Sequence, residues 1–504
     1  MLFFVLSTLC VCFIFHYLYY YLLLLVRARK HTSSIPGWYN LPFVGCAYKF
    51  LGNTDVLFKR MEEWTRFTNA HSGRMRAWLG PQLMIVTTDP EDIRAINNSF
   101  TERPYYFNFA RPWLGNGLIT APSDVWKRSI KKLGVTFTNS FVEGFNPVFN
   151  TQGKKLVAKL KTEAGAPPFD ILHKYLARTT LETICQTALG VSELSENLVS
   201  NEYFIAFQGA LDLVVSRCLN VLHHSDLIYK CTRNYRKFKS NVRILHGLSN
   251  EVIARKRRQM EQNNNMNIEP PTGKFKAFID ILMEMSDSSP LLSDCQIRAE
   301  VDTIIASGQE TTALSLSFVY IMLAKYPEAQ QRVYREIIEE LGPEDRPLTR
   351  EDLGRVKYLD AVLNEILRLY PPVLFAMRYI NRDFKLDTFT LPSGSICTLP
   401  LWTIGRSVHT FGADAANFRP ERWLDHSHIP LASSPFGYGR RPCIGKRYAL
   451  ALMKIVVIRS LRQLEFSSDG STLEMKADLT LRPQAGHLLK VTLRDTPNNS
   501  LCKS

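Results

Sequence analysis

Phe436-Gly-Tyr-Gly-Arg-Arg-Pro-Cys-Ile-Gly445 sets one cysteine, Cys443, in a turn crowded with Gly437, Gly439, Pro442 and Gly445. An apolar run of helical character, Tyr448 to Ile458, follows at once. Glycines open backbone conformations that other residues resist, so N–H groups can converge on one atom. A sulfur at a helix start also feels the positive end of the macrodipole, which favours thiolate over thiol. A thiolate in a desolvated pocket needs a strong electrophile, and a metal is the usual one. Arg440 and Arg441 add cations where an anionic cofactor would lie. The plainer reading is a structural cysteine beside a surface turn.

The order Phe436, Gly439, Arg441, Cys443, Gly445 decides between them, because it matches a family pattern in full. The stretch resembles the haem-binding loop of the cytochromes P-450. The resemblance implies Cys443 as axial ligand of the haem iron, Arg441 on a haem propionate, Phe436 packed near the sulfur and Gly439 within the cofactor loop. Thiolate ligation pushes electron density toward iron and favours O–O cleavage over reversible oxygen carriage.

Three further stretches carry the same resemblance. Ser293 to Lys325 reads as one long helix, opened by a capping box of Ser293 and Gln296. It would run roughly 50 Å, enough to cross a globular domain. At its middle, Ser307-Gly-Gln-Glu-Thr-Thr312 is poor helix chemistry, which predicts a local weakness where a ligand or water inserts. The family implies Thr311 as the hydroxyl that assists oxygen activation and Glu310 as the acid relaying protons from solvent. The plainer reading is an ordinary helix with back-bonded threonines. Glu300-Val-Asp-Thr303 makes this segment most similar to the branch containing fatty-acid ω-hydroxylases. Many members there carry a glutamate that becomes esterified to haem. Ser307 stands at that position, so the haem b is expected to be non-covalent, and the inference of ω-hydroxylation is weakened.

The second stretch is Tyr358–Tyr370, a helix stopped by Pro371-Pro372, with Glu365 and Arg368 on one face. Phe418-Arg-Pro-Glu-Arg-Trp423 follows. These resemble the Glu-x-x-Arg helix and the Pro-x-Arg-aromatic loop of the family, which implies that Glu365, Arg368 and Arg422 form a buried, fold-holding charge network. The third stretch is Trp126-Lys-Arg-Ser-Ile-Lys-Lys132, which resembles the helix carrying Trp-x-x-x-Arg. Trp126 matches as a propionate contact. The arginine position is Ile130, and Lys131 or Arg128 is the expected substitute. Arg378, in Pro372–Arg378 beside the haem, resembles a further propionate contact.

The remaining sequence bounds the setting. The 504 residues show no repeat or long linker, so one large catalytic domain (49–504) is expected behind a basic, proline-rich hinge (27–48). Residues 1–26 are apolar, with no acidic or basic side chain but His16, and are followed by Arg27, Arg29 and Lys30. That pattern predicts a single transmembrane anchor with the catalytic domain in the cytosol, against a cleaved signal peptide. The resemblance places the anchor in the endoplasmic reticulum membrane, and cytosolic topology leaves the glycosylation triplets at Asn97 and Asn498 unused. The net charge of +15 is dispersed and lacks any nucleic-acid signature. Ten cysteines without a CxxC argue against a disulfide scaffold or structural zinc.

Coarse patterning predicts a helix at Asn53–Thr68 and a hairpin of Arg74–Leu79 with Leu83–Thr87. It predicts a helix opened by Asp89-Pro90, helices through 150–260, an exposed loop at Asn263–Gly273, and strands at Phe384–Leu386 and Ser395–Leu399 in one small sheet, while the tail near Pro483–Leu488 resembles a final hairpin that touches substrate in the family. The aromatic loop 103–120 is either core cover or, as the family implies and as is preferred here, a cap on the substrate cavity. The fold expected is therefore mainly α with small β-sheets, the cytochrome P-450 fold with an N-terminal anchor helix. The reaction expected is monooxygenation of a lipophilic small molecule. With no flavin or nicotinamide motif in the chain, electrons would come from NADPH–cytochrome P-450 reductase, with cytochrome b5 as an accessory donor. Lys127, Arg440, Lys446 and Arg447 would offer the reductase a basic face. The alternatives are a reductase-independent peroxide isomerase or dehydratase of the same fold, and a non-enzymatic haem-based sensor.

Overall fold

The computed structural model describes residues 30–41, 44–50, 54–190, 200–265, 276–287, 293–424, 434–468, 473–477, 480–484 and 486–494, with scattered residues before 30. Most of the expected anchor and the triplet at Asn498 lie outside them. Among the described residues no helix is long and apolar enough to cross a membrane.

The chain enters through α1 (Thr54–Ala70), β1 (Arg74–Leu79), β2 (Gln82–Thr87), α2 (Pro90–Ser99) and α3 (Ser123–Leu133). β1 and β2 form the expected hairpin, with Leu79 opposite Gln82. Asp89 caps α2 by accepting the Glu91 and Asp92 N–H groups, with Pro90 in the first turn, where its missing donor costs nothing. The expected hinge is packed against this unit: Ile35 and Cys46 are buried, and Gly37 and Gly45 bridge to Arg76 and Leu79.

A helical layer follows: α4 (Asn146–Lys161), α5 (Ala177–Leu189), α6 (Asn201–Leu219), α7 (Arg233–Asn265) and α8 (Phe278–Asp287). Helix α7 runs into the stretch expected as an exposed loop, and 266–275 lie outside the described residues. Then comes α9 (Asp294–Lys325), buried along nearly its whole length, followed by α10 (Pro327–Leu341) and α11 (Lys357–Leu369). A helix hydrophobic all round belongs in the interior, and α9 is the axis on which α5, α7, α8 and α11 pack.

The sheets correct two expectations. β3 (Phe375–Tyr379) and β4 (Ile396–Pro400) join the first hairpin in the order β1-β2-β4-β3, with β4 parallel to β2. Phe384–Lys385 pairs instead with Thr390–Leu391, so the two strands expected in one sheet lie in different sheets. After α12 (Lys446–Gln463) come β5 (Leu464–Ser467), β6 (Met475–Ala477), β7 (Leu481–Pro483) and β8 (Leu488–Leu493). β7 pairs back onto β6, while β8 pairs with β5 and with Phe169–Asp170, so no hairpin forms across Pro483–Leu488. Strand pairing is a long-range choice that local pattern does not encode.

One buried charge network ties α11 to the loop before the cysteine turn. Glu365 Oε1 accepts Arg368 Nη2 at 2.6 Å and Arg422 Nε at 3.0 Å. Its Oε2 accepts Arg368 Nε at 2.8 Å and Trp423 Nε1 at 2.8 Å. Arg368 also donates to the Gly405 and Ala415 carbonyls. Burial alone would raise the Glu365 carboxyl, yet the Arg368 hydrogen bonds and charge hold it below the usual carboxylate range. Every charge here has partners, which is the condition for keeping it in the core. Glu365→Leu would leave buried Arg368 without a carboxylate and Arg422 with Asp414 alone. A loss of about 3–5 kcal/mol in chemical unfolding is expected, and a loss below about 1 kcal/mol would mean that the network is dispensable.

Candidate active site

The cysteine turn is closed by the Cys443 N–H donating to the Phe436 carbonyl at 2.8 Å. It leads straight into α12, and the Gly445 and Lys446 N–H groups at the start of that helix favour the Cys443 thiolate. Gly439 has φ +86, and a Cβ there would lie 2.7 Å from the Asn97 side chain on α2. Glycine at 439 thus lets the turn lean on α2, where the Arg440 N–H meets the Asn97 carbonyl at 3.2 Å. Asn97 itself is buried. Half-buried Phe436 lies under the Lys446 ammonium, 5.6 Å from its ring centre.

Cys443 is exposed by surface area, yet protein crowds it closely enough that desolvation raises its thiol. The Gly445 and Lys446 N–H groups and the Lys446 and Arg103 charges oppose that rise without cancelling it. The helix start alone therefore does not secure the thiolate. A bound electrophile is what the sulfur calls for.

Three buried arginines stand close to one another, and Arg103 among them is close to the sulfur. Arg441 donates to the Thr101 and Leu118 carbonyls at 2.8 Å each and lies 5.0 Å over the ring of buried Trp126. Arg378, from β3, donates to its neighbour's carbonyl at 3.0 Å. Arg103 stacks 4.5 Å from the Phe107 ring centre. The Nε atoms of all three are buried without a hydrogen-bond partner, and among the described residues none has an ion-pair partner. Burial, with the Arg378 charge, lowers Arg441 to about 10, and burial lowers Arg378 to about 10. Arg103 is pushed well below its ordinary value by burial and then by the Arg441 and Arg378 charges.

Buried cations without an ion-pair partner are expensive; Glu102 acts on Arg441 only from a distance, and three that repel one another ask for more than one further negative charge. A flat iron macrocycle bearing two carboxylates answers both needs, giving the guanidinium groups their partners and the sulfur its electrophile. These residues fit haem. On the helix with Ile130, Arg128 is exposed and paired with Asp124 and Lys131 is exposed, while Arg103 stands with Arg441 and Arg378. In the sequence its only signal is a lone arginine before Pro104 in an aromatic loop.

On α9, the expected weakness at 307–312 is absent: the helix is continuous from Asp294 to Lys325. The hydroxyls of Ser307, Thr311 and Ser315 each donate to the carbonyl one turn back, at 2.7, 2.6 and 2.7 Å. Gly308 lets α5 pack close, with Ile184 2.9 Å from where its Cβ would be. Back-bonded hydroxyls do not strengthen a helix, so burial of α9 along its length and the close packing of α5 on Gly308 are what offset poor propensity. Buried Glu310 is ion-paired with Arg482 of β7, a partner 172 residues away that no local pattern announces. Ser293 caps α9 as expected, accepting the Gln296 N–H at 3.3 Å. The Gln296 side chain turns instead to the Asn116 carbonyl and the Glu300 carboxyl, so only half of the capping box forms. Among the described residues no cluster of three metal-ligating side chains occurs, and His223-His224 belong to an aromatic group with Tyr105, Phe109 and Tyr229.

A mainly helical fold that sets one cysteine against unpaired arginines defines the class of haem-thiolate proteins. A family model described as Cytochrome P450 matches residues 35–491. Cytochrome P450 4c3 of Drosophila melanogaster is 31% identical, over 93% of this chain and 91% of its own. Cytochrome P450 4V2 of Mus musculus is 30% identical, over 90% of this chain and 88% of its own. The human protein of that name is 28% identical, over 93% and 92%. The chain belongs to the cytochrome P450 family, whose members hold haem on a cysteine thiolate, and it is a monooxygenase. The shared designation 4 agrees with the branch indicated by residues 300–312.

Removing one of three repelling arginines should help the haem-free protein and harm the haem-bound one. Arg103→Gln is expected to raise the melting temperature of the haem-free form by a few degrees and to speed haem release at least several-fold. Both readings follow from calorimetry and haem-transfer kinetics, and a variant that loses stability in both forms would contradict the assignment.

Proposed function

We propose that this chain is a membrane-associated monooxygenase that inserts one oxygen atom into a lipophilic small molecule, using haem b held non-covalently. The observation that carries the reading is the desolvated Cys443 sulfur just before α12, close to a buried group of Arg103, Arg378 and Arg441, none of which has an ion-pair partner among the described residues. Cys443 ligates the iron. Arg441, Arg378 and Arg103 hold the propionates, with Trp126 beneath Arg441. Ser307 offers no carboxylate for an ester link. When bound, haem supplies the oxygen and electron chemistry, which thiolate ligation biases toward O–O cleavage.

The chain's own part is to shape the cavity and move protons. Thr311 and Glu310 are successive residues of α9, and the Thr311 hydroxyl is anchored on the Ser307 carbonyl, which aims its lone pairs. Glu310 is 6% exposed, and its ion pair with the partly exposed Arg482 links it toward solvent. Glu310, next to Thr311 in the chain, is the group that takes a proton from solvent and passes it inward, while Arg482 holds its carboxylate and carries no proton itself. Loop 103–120 caps the cavity, with Trp113 edge-on to Phe207 of α6 at 5.4 Å.

Electrons come from NADPH through a reductase, with cytochrome b5 as an accessory donor. Lys127, Arg440, Lys446 and Arg447 are exposed around the cysteine turn and suit an acidic partner. The apolar sequence 1–26, with Phe13 70% and Phe15 68% exposed, supports anchoring in the endoplasmic reticulum membrane with the catalytic domain in the cytosol. The intact Glu310-Thr311 pair disfavours an isomerase or a sensor, neither of which needs a proton path.

The test is turnover with and without reductase and NADPH on a panel of fatty acids and terpenoids. Product is expected only with both, and Thr311→Ala should divert at least tenfold more of the NADPH oxidised from product to hydrogen peroxide. Equal turnover of a hydroperoxide without reductase would overturn the monooxygenase reading.

A further inference from the structure

Glu300 lies on α9 two turns and more before the oxygen site, is fully buried, and is used by nothing described so far. Its Oε2 accepts the Leu118 N–H at 3.0 Å and its Oε1 accepts Gln296 Nε2 at 2.9 Å, and the Ser129 hydroxyl lies close enough to pull its carboxyl down. Leu118 belongs to the loop whose carbonyls hold Arg441: Nη2 donates to Leu118 at 2.8 Å and to Ile119 and Ala121 at 3.3 Å. Ser129 belongs to α3, the helix that carries Trp126. One carboxyl therefore touches both elements that place the residues around Arg441.

The loop rests on α9 independently of this carboxyl. A Cβ at Gly117 would lie 2.0 Å from Thr303 Oγ1 and 2.4 Å from the Ala299 carbonyl, and one at Gly115 would lie 2.8 Å from the Ala299 side chain. Such an approach excludes water from the Leu118 N–H. A buried N–H needs an acceptor, and Glu300 is the one present. At Ile130, α3 lacks the arginine that the family pattern places there, and the Ser129 hydroxyl beside Glu300 is a polar approach of this helix toward the site.

We propose that Glu300 is a positioning residue for the haem, fixing loop 114–121 and α3 so that Arg441 and Trp126 are presented to the propionates. The role rests on the reading that Arg441 meets a propionate. Burial raises the Glu300 carboxyl to about 7, against the pull of Leu118, Gln296 and Ser129, so its contribution to the loop is that of a hydrogen-bonding hub and does not depend on full charge.

The full-length holoprotein tests this with Glu300→Leu, Glu300→Gln, Ser129→Ala and Arg441→Ala. Haem transfer to apomyoglobin and amide hydrogen exchange over 114–121 are the readouts, with the carbon monoxide spectrum reporting an intact thiolate. Glu300→Leu should release haem at least tenfold faster and expose the Leu118 amide to exchange, with the thiolate-type band retained. Glu300→Gln keeps an acceptor for the loop and should stay within about threefold of the unaltered protein. Should Glu300→Leu fail to fold, Ser129→Ala carries the test alone, with haem release expected to rise two- to fivefold. Fast release by Arg441→Ala with unchanged release by Glu300→Leu, or by Ser129→Ala in its place, would overturn the role of Glu300 and leave the propionate reading intact. Unchanged release by Arg441→Ala would overturn the propionate reading itself, and this proposal with it.

Discussion

Three guanidinium groups held close together in the interior, with a desolvated sulfur beside them, are the constraint on which this protein turns. Like charges in a poorly hydrated space repel strongly, and burial has already lowered all three. The fold holds them by main-chain carbonyls: Thr101 and Leu118 on Arg441, Met377 on Arg378. Those bonds fix direction without supplying charge. On the proposed reading the missing charge is that of the haem propionates, which would link completion of the fold to haem binding.

The second buried charge group shows the opposite solution. Glu365 is saturated by Arg368, Arg422, Trp423 and the Arg419 backbone. A network that is complete without any ligand locks the chain. One left short of two charges is a receptor. The two arginine sets differ in this bookkeeping far more than in burial, and that difference separates fold-holding residues from binding ones.

Much of this was legible from local pattern. The turn at Phe436–Gly445, the Glu365–Arg368 pair and the hairpin of β1 and β2 are set by residues close in sequence, where type and spacing fix geometry. Features created by distant partners were not. Arg103 stands with Arg441 and Arg378 from another part of the chain. Arg482 meets Glu310 across 172 residues. The strands near 384 and 396 were seen as strands, but their partners lie at Thr390–Leu391 and on β2 and β3. At Ser307–Thr312 local reasoning misled, because propensity scores residues singly, whereas here α9 is buried along its length and Gly308 admits Ile184. The Gln296 side chain left its expected cap for the same reason, drawn to Asn116 and Glu300.

The carbon monoxide difference spectrum of the reduced protein, recorded beside that of Cys443→His, tests the account most directly. A thiolate-type Soret band that disappears in the variant is the result predicted. A histidine-type band in the unaltered, folded protein would mean that Cys443 is not the iron ligand, and the account of this site would fall with it.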